Sequence, residues 1–150
     1  MELTYDNILA FLKEYIVAFS TLAQNPETTH EMHEYYAPEI KVTQYSPKKA
    51  VYNREQFLQF HTTHPGIQET LVPEHISIDE RQKTAGVLLR GEFTIKKTKQ
   101  VVVQTLSAHY TLMLDGNNTI KIKDIAFFVE AVPPGAPNID DLYEESFKKN

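Results

Sequence analysis

The chain contains no cysteine, which excludes a thiol nucleophile, a disulfide framework, a thiolate metal site and an iron–sulfur cluster. Its chemistry must therefore come from carboxyl, imidazole and phenol groups, and four side chains are placed to supply it. Asp124 alternates with Ile122, Ala126 and Phe128 along the last apolar segment, which assigns it to the inward side of a strand. A carboxyl held among apolar groups has a raised pKa and serves as acid or base near neutral pH; the competing assignment is a structural carboxylate bonded to a tyrosine or a helix end. Tyr15 lies on the apolar face of the first helical segment, either as a core tyrosine with a bonded hydroxyl or as an electrophile. His61 follows Phe57 by one turn and is either a core or rim histidine or a working one. Tyr110 shares the inward parity of its strand with Leu106, Ala108 and Leu112, whereas its neighbour His109 falls on the other face.

Other chemistries find no support. His30-Glu31-Met32-His33 is one residue short of an H-E-x-x-H helix, and His61 with His64 has no carboxylate ligand nearby, so no metal is expected. Five glycines form no phosphate loop, no G-x-S-x-G elbow is present, and no cofactor is expected. Fifteen Lys and Arg against twenty Asp and Glu leave a net charge of −5, which argues against nucleic acid as a partner. No apolar run, Ile125 to Val129 included, exceeds five residues and the N-terminus is acidic, so neither a membrane span nor a secretory leader is expected and the location is expected to be cytoplasmic.

The elements that must hold these residues follow from periodicity. Ile8, Leu12, Tyr15, Ile16, Phe19 and Leu22 recur at helical spacing behind Thr4 or Asp6 as N-cap, and Asn25-Pro26 ends that helix. A second helix carries Met32, Tyr35 and Tyr36 and stops at Ala37-Pro38, and a short strand holds Ile40, Val42 and Gln44. Asn53 and Gln56 form a capping box that opens a third helix, ended by Pro65-Gly66. Strand patterns then run over about 70–79, 84–97, 100–114 and 119–132, the last two joined at Asp115-Gly116, where both residues tolerate positive φ. Residues 1–137 make one domain and 138–150 an acidic tail.

Helices followed by a long antiparallel meander give an α+β domain with the helices packed on one face of a curved sheet. The same alternation assigns Met113, Ile125, Phe127 and Val129 to the outer face, a patch that predicts a homodimer formed sheet to sheet.

Helix, short helix, strand, capped helix and four-stranded meander together resemble the NTF2-like superfamily, the cone-shaped fold of ketosteroid isomerases, limonene epoxide hydrolases, scytalone dehydratases and SnoaL-like polyketide cyclases. The resemblance covers residues 5 to 132. It is carried by Tyr15-Ile16-Val17-Ala18-Phe19, Asn53-Arg54-Glu55-Gln56-Phe57 and Leu112-Met113-Leu114-Asp115-Gly116. It implies a deep apolar pocket between the concave sheet face and the helices. On the ketosteroid isomerase pattern, Tyr15 falls at the oxyanion-hole tyrosine, and His61 falls at the residue that hydrogen-bonds to it. Gln44 stands where the general-base aspartate belongs and Tyr110 where a second carboxylic acid belongs, so two of the four positions lack their carboxyl. Cyclases and epoxide hydrolases of this superfamily carry an aspartate on the final strand, the place of Asp124.

The resemblance thus implies a cofactor-free enzyme of isomerase, cyclase or dehydratase type, of the kind found in secondary metabolism, acting on a small apolar polyketide-, terpenoid- or steroid-like molecule. Asp124, Tyr15, His61 and Tyr110 would be catalytic, and Phe19, Gln44, Leu89, Leu112 and Phe128 would line the pocket. The alternative is a dimeric ligand-binding or protein-interaction module of the same fold without chemistry.

Overall fold

The computed structural model describes residues 1–22, 29–46, 48–62 and 66–136, the side chains of 60–62 excepted. Helix α1 (Tyr5–Leu22) buries Ile8, Leu12, Tyr15, Ile16 and Leu22 on one face. Thr4 caps it: the Asn7 amide donates to Thr4 Oγ1 at 3.2 Å and the Ile8 amide to the Thr4 carbonyl at 2.9 Å, which satisfies donors that the first turn leaves without partners.

The second helix ends earlier than its pattern predicts. One turn, α2 (Thr29–Met32), runs into a 3₁₀ turn (His33–Tyr35), and Tyr36 is already extended at φ −109°. Pro38 disfavours the helical region at Ala37, so the chain turns to strand before the proline. Strand β1 (Tyr36–Ser46) therefore starts four residues ahead of Ile40 and carries Tyr36 with it.

Strand β2 (Ala50–Tyr52) leads into α3 (Arg54–Thr62). The capping box is formed at both ends: the Gln56 amide donates to Asn53 Oδ1 and the Asn53 amide to Gln56 Oε1, each at 2.9 Å. The predicted stops at Asn25-Pro26 and at Pro65, and the tail from 138 onward, lie outside the described residues.

Strands β3 (Ile67–Asp79), β4 (Thr84–Ile95), β5 (Val101–Leu114) and β6 (Ile120–Val129) complete a six-stranded sheet of order β2-β1-β6-β5-β4-β3. Only the β1–β6 pairing is parallel. The sheet curves around α1, giving an α+β fold. On the β3 edge Pro73 lacks the amide that an interior strand would need, and Ser20 Oγ of α1 accepts the Leu71 amide at 3.2 Å. In the β5–β6 hairpin the positive φ falls on Asn118 (60°) and not on Gly116. Asp115 holds that loop through its carboxylate, which accepts the Asn117 and Thr119 amides at 2.9 Å each.

Strand β6 departs from simple alternation. Leu112 faces Ile122, but the next pair is Thr111 with Asp124, so Lys123 is an unpaired bulge and the side chains beyond it change face. Ile125 (3% exposed) and Val129 (5%) are in the core and Phe127 packs against it, while Phe128 is 40% exposed. Unbroken alternation would bury Asp124 and Ala126 in place of Ile125 and Phe127. Each large apolar side chain taken from water is worth roughly 1.5–3 kcal/mol, and a carboxylate taken from water costs. The predicted outer patch of Ile125, Phe127 and Val129 is thus corrected: these residues belong to the core.

Gly91 marks another place where packing dictates sequence. A Cβ there would sit 2.5 Å from the Phe93 ring and 2.9 Å from Leu106 Cδ1. Among the described residues no helix is long and apolar enough to cross a membrane.

Candidate functional site

Three tyrosines from three elements meet under the helix. Tyr15 of α1 and Tyr36 of β1 share a hydrogen bond of 2.8 Å between their hydroxyls, and the Tyr15 ring meets those of Tyr36 and Tyr110 edge-on at 5.7 and 5.8 Å. All three are buried. Burial is the first cause that pushes each phenol well above its ordinary value; for Tyr15 the neighbouring Tyr36 and Tyr110 and the charge of Glu69 add to it. They are neutral donors across the whole physiological range.

The three hydroxyls are not equivalent. Tyr15 and Tyr36 satisfy each other, whereas the Tyr110 hydroxyl has no hydrogen-bond partner among the described residues. A buried hydroxyl in that state costs about 1–3 kcal/mol and is poised for an acceptor that arrives with a ligand.

Register fixes what else shares the inner face. Ala85, Tyr110, Ile125 and Val42 form one row; Leu89, Leu106 and Val129 another; Glu69, Phe93 and Val102 a third; and Leu71, Gly91 and Gln104 lie between those two. Among the described residues Glu69, at 8% exposure, is the one buried carboxylate. Gln104 is buried and donates from Nε2 to the Glu130 carbonyl at 2.6 Å. Gln44, in register with Ala50 and Phe127, is half-buried on the same face.

The sequence-predicted residues divide. Tyr15 and Tyr110 meet as described. Phe19 packs against the rings of Tyr15 and Phe57 at 5.9 and 5.7 Å, and Leu89 and Leu112 are buried in the core. The side chain of His61 lies outside the described residues, and the hydroxyl bonded to Tyr15 is that of Tyr36. Asp124 is not on the inner face: beyond the bulge it pairs with Thr111 and Lys41 on the outer one, half-buried. Phe128 is likewise outside, stacked on Tyr45 at 5.1 Å and edge-on to His109 at 6.1 Å. Both corrections have one cause, the extra residue at Lys123.

Two site residues escaped the sequence patterns. The helical pattern takes in Tyr36, although the extended bias that Pro38 imposes on Ala37 points to a strand start. Glu69 sits just before the predicted strand, where its alternation with Ile67 and Leu71 was the available signal.

No family model matches the sequence, and no curated protein matches it. Solved structures do match. PrhC from Penicillium brasilianum superposes with a TM-score of 0.69 at 9% identity, over 96% of this chain and 89% of that one. SalBIII, an epoxide hydrolase/cyclase-like enzyme of pyran ring formation in the polyether salinomycin, gives 0.65 at 16% identity, over 85% and 94%. A ketosteroid isomerase-like protein from Erwinia carotovora atroseptica gives 0.59 at 13% identity, over 83% and 95%. At such identities the likeness is one of backbone, and with the helix-wrapped curved sheet it gives the conclusion that the chain has the NTF2-like fold.

Proposed function

We propose that the inner face binds a small apolar molecule through one oxygen and moves a proton on it without a cofactor. The observation that carries this reading is the buried Tyr110 hydroxyl, which lacks a partner among the described residues and faces the same side of the sheet as Glu69. A ligand carbonyl would accept from Tyr110, and the Tyr15–Tyr36 pair would keep the surrounding ring wall neutral and fixed. Glu69 would be the acid or base in place of Asp124: among the described residues it is the buried carboxylate on this face, in register eight residues along β5 from Tyr110, and its charge reaches Tyr15. Hydrogen-bond donation to a developing enolate in a dry site and proton transfer by a positioned carboxylate together need no metal. The likeness in fold to SalBIII, an epoxide hydrolase/cyclase-like enzyme, and to a ketosteroid isomerase-like protein supports a reaction of the isomerase or cyclase class.

A binding module without turnover is favoured by a different observation: the two positions of the isomerase pattern that lack carboxyl groups, Gln44 and Tyr110, are both on the inner face. The two readings share the ligand site and differ in Glu69. Titration of the full chain with 2-decalone, an apolar cyclic ketone, followed by methyl NMR, should move Leu71, Leu89 and Leu106, and Tyr110→Phe should weaken binding about tenfold. Shifts confined to other surfaces would end the inner-face assignment.

We also infer a homodimer through the corrected outer face. Tyr45, Leu88, Val103 and Phe128 are 40–51% exposed there, an apolar surface that a second copy would cover.

A further inference from the structure

On the other flank of α1 lies a groove of about 530 Å³, bounded by α1, the α2–3₁₀ segment and the start of β6. Its walls are apolar and aromatic: Phe11, Met32, Tyr35 and Ile120. The Phe11 and Tyr35 rings meet at 5.8 Å with a 58° tilt. Three carboxylates open onto it, those of Glu14, Glu31 and Glu34, and no Lys or Arg is among its lining residues. None of the lining residues belongs to the inner-face site.

The charges are unevenly compensated. Glu34 has Lys121 beside it, with Nζ 3.8 Å from the carboxylate and donating to the Glu34 carbonyl at 2.5 Å. Among the described residues Glu14 accepts only the neutral Tyr35 hydroxyl, at 3.1 Å, and no ion pair to Glu31 is found. Glu14 and Glu31 converge on Tyr35: after burial, their charges are what push its phenol up to about 12. That phenol therefore stays protonated and bound to Glu14, with its ring in the groove wall.

We propose that this groove is a binding site for a small organic cation with an apolar body, an aryl-alkylammonium in chemical class. The volume is in the range of small-molecule pockets, the aromatic walls supply both hydrophobic area and ring faces for a cation, and the carboxylates supply the complementary charge. An anion of the same shape meets the carboxylates of Glu14 and Glu31, to which no ion pair is found among the described residues, and is disfavoured. A divalent metal ion does not use the apolar walls.

The test is titration of the full chain at pH 7 with phenethylammonium, followed by amide and methyl NMR. Saturable shifts are expected at Phe11, Met32, Tyr35 and Ile120, while phenylpropionate, of like size and opposite charge, leaves them unmoved. Replacing both exposed carboxylates, Glu14→Gln with Glu31→Gln, should weaken the cation about tenfold, and Tyr35→Leu should weaken it about fivefold, through loss of charge and of ring face respectively. Equal binding of phenylpropionate, unchanged affinity in the double variant, or shifts centred on Tyr110 and Leu89 would each overturn the proposal. The last of these outcomes would place the cation in the inner-face site and leave that site's own assignment standing.

Discussion

Strands β5 and β6 form one hairpin and are equally apolar, yet they present their side chains under different rules. Strand β5 keeps a single alternation from Val102 to Leu112, with Gln104, Ala108 and Tyr110 inside and Val103 and His109 outside. Strand β6 follows it only as far as Ile122; past Lys123 the odd-numbered residues turn inward. One extra residue thus decides which carboxylate reaches the inner face. It keeps Asp124 off that face, where Glu69 on β3 is the buried carboxylate among the described residues, and it moves Phe128 to the outer face beside Tyr45 and His109.

The contrast is broken most forcefully by charging adjacent odd and even positions of β6. Ile125→Glu places a carboxylate beside Tyr110 and Val42 and should cost several kcal/mol, enough to unfold a domain of this size. Phe128→Glu should leave the folded protomer within about 1 kcal/mol of wild type while turning a sedimenting dimer into a monomer. Urea unfolding and sedimentation velocity read the two effects; equal destabilisation by both would mean that the bulge is misplaced, and a wild type that sediments as a monomer would remove the dimer.

A second effect comes from alkaline pH. The folded-state pKa values of Tyr15, Tyr36 and Tyr110 are raised, so below pH 10 both folded and unfolded chains keep these protons and stability is unaffected by them. Above that value the unfolded chain ionises first, and stability should fall by about 1.4 kcal/mol per pH unit for each tyrosine until its folded pKa is passed. Urea midpoints between pH 9 and 11 should show the loss, and Tyr110→Phe should reduce its slope by one tyrosine's share. A flat profile would mean that the phenols are not held neutral by burial.

Smaller, and opposite in sign, are the effects of deleting single hydroxyls. Tyr15→Phe strands the Tyr36 hydroxyl and should cost about 1–3 kcal/mol, whereas Tyr110→Phe removes a group with no partner and should be neutral or slightly stabilising without ligand. Equal losses in the two variants would show that Tyr110 is already satisfied.

The fold was legible in the sequence because its signals are local and redundant. The Asn53–Gln56 box, the α1 stripe from Ile8 to Leu22 and the alternation of β5 each specify their element alone, and each is found where the pattern places it. The candidate site was legible only where one unbroken element carries a residue, as with Tyr15 and Tyr110. Asp124 and Phe128 were misplaced because a bulge leaves no residue-type signature: Lys123 is as ordinary on a strand's polar side as in an unpaired position. The better guide was the sum of side chains, since Ile125, Phe127 and Val129 bury far more apolar surface than Asp124, Ala126 and Phe128. Tyr36 was lost to a helix end that Pro38 sets earlier than the helical pattern does, and Glu69 to a strand that starts at Ile67, three residues ahead of its predicted start.

The central claim, that Glu69 and Tyr110 and not Asp124 form the working pair, is tested most directly by hydrogen–deuterium exchange at the carbon beside the carbonyl of 2-decalone in D₂O, followed by proton NMR. The account predicts that the wild-type chain accelerates exchange, that Glu69→Gln lowers the enzyme-dependent rate by about 10²–10⁴-fold, and that Asp124→Asn leaves it unchanged. Full exchange in Glu69→Gln together with its loss in Asp124→Asn would contradict it.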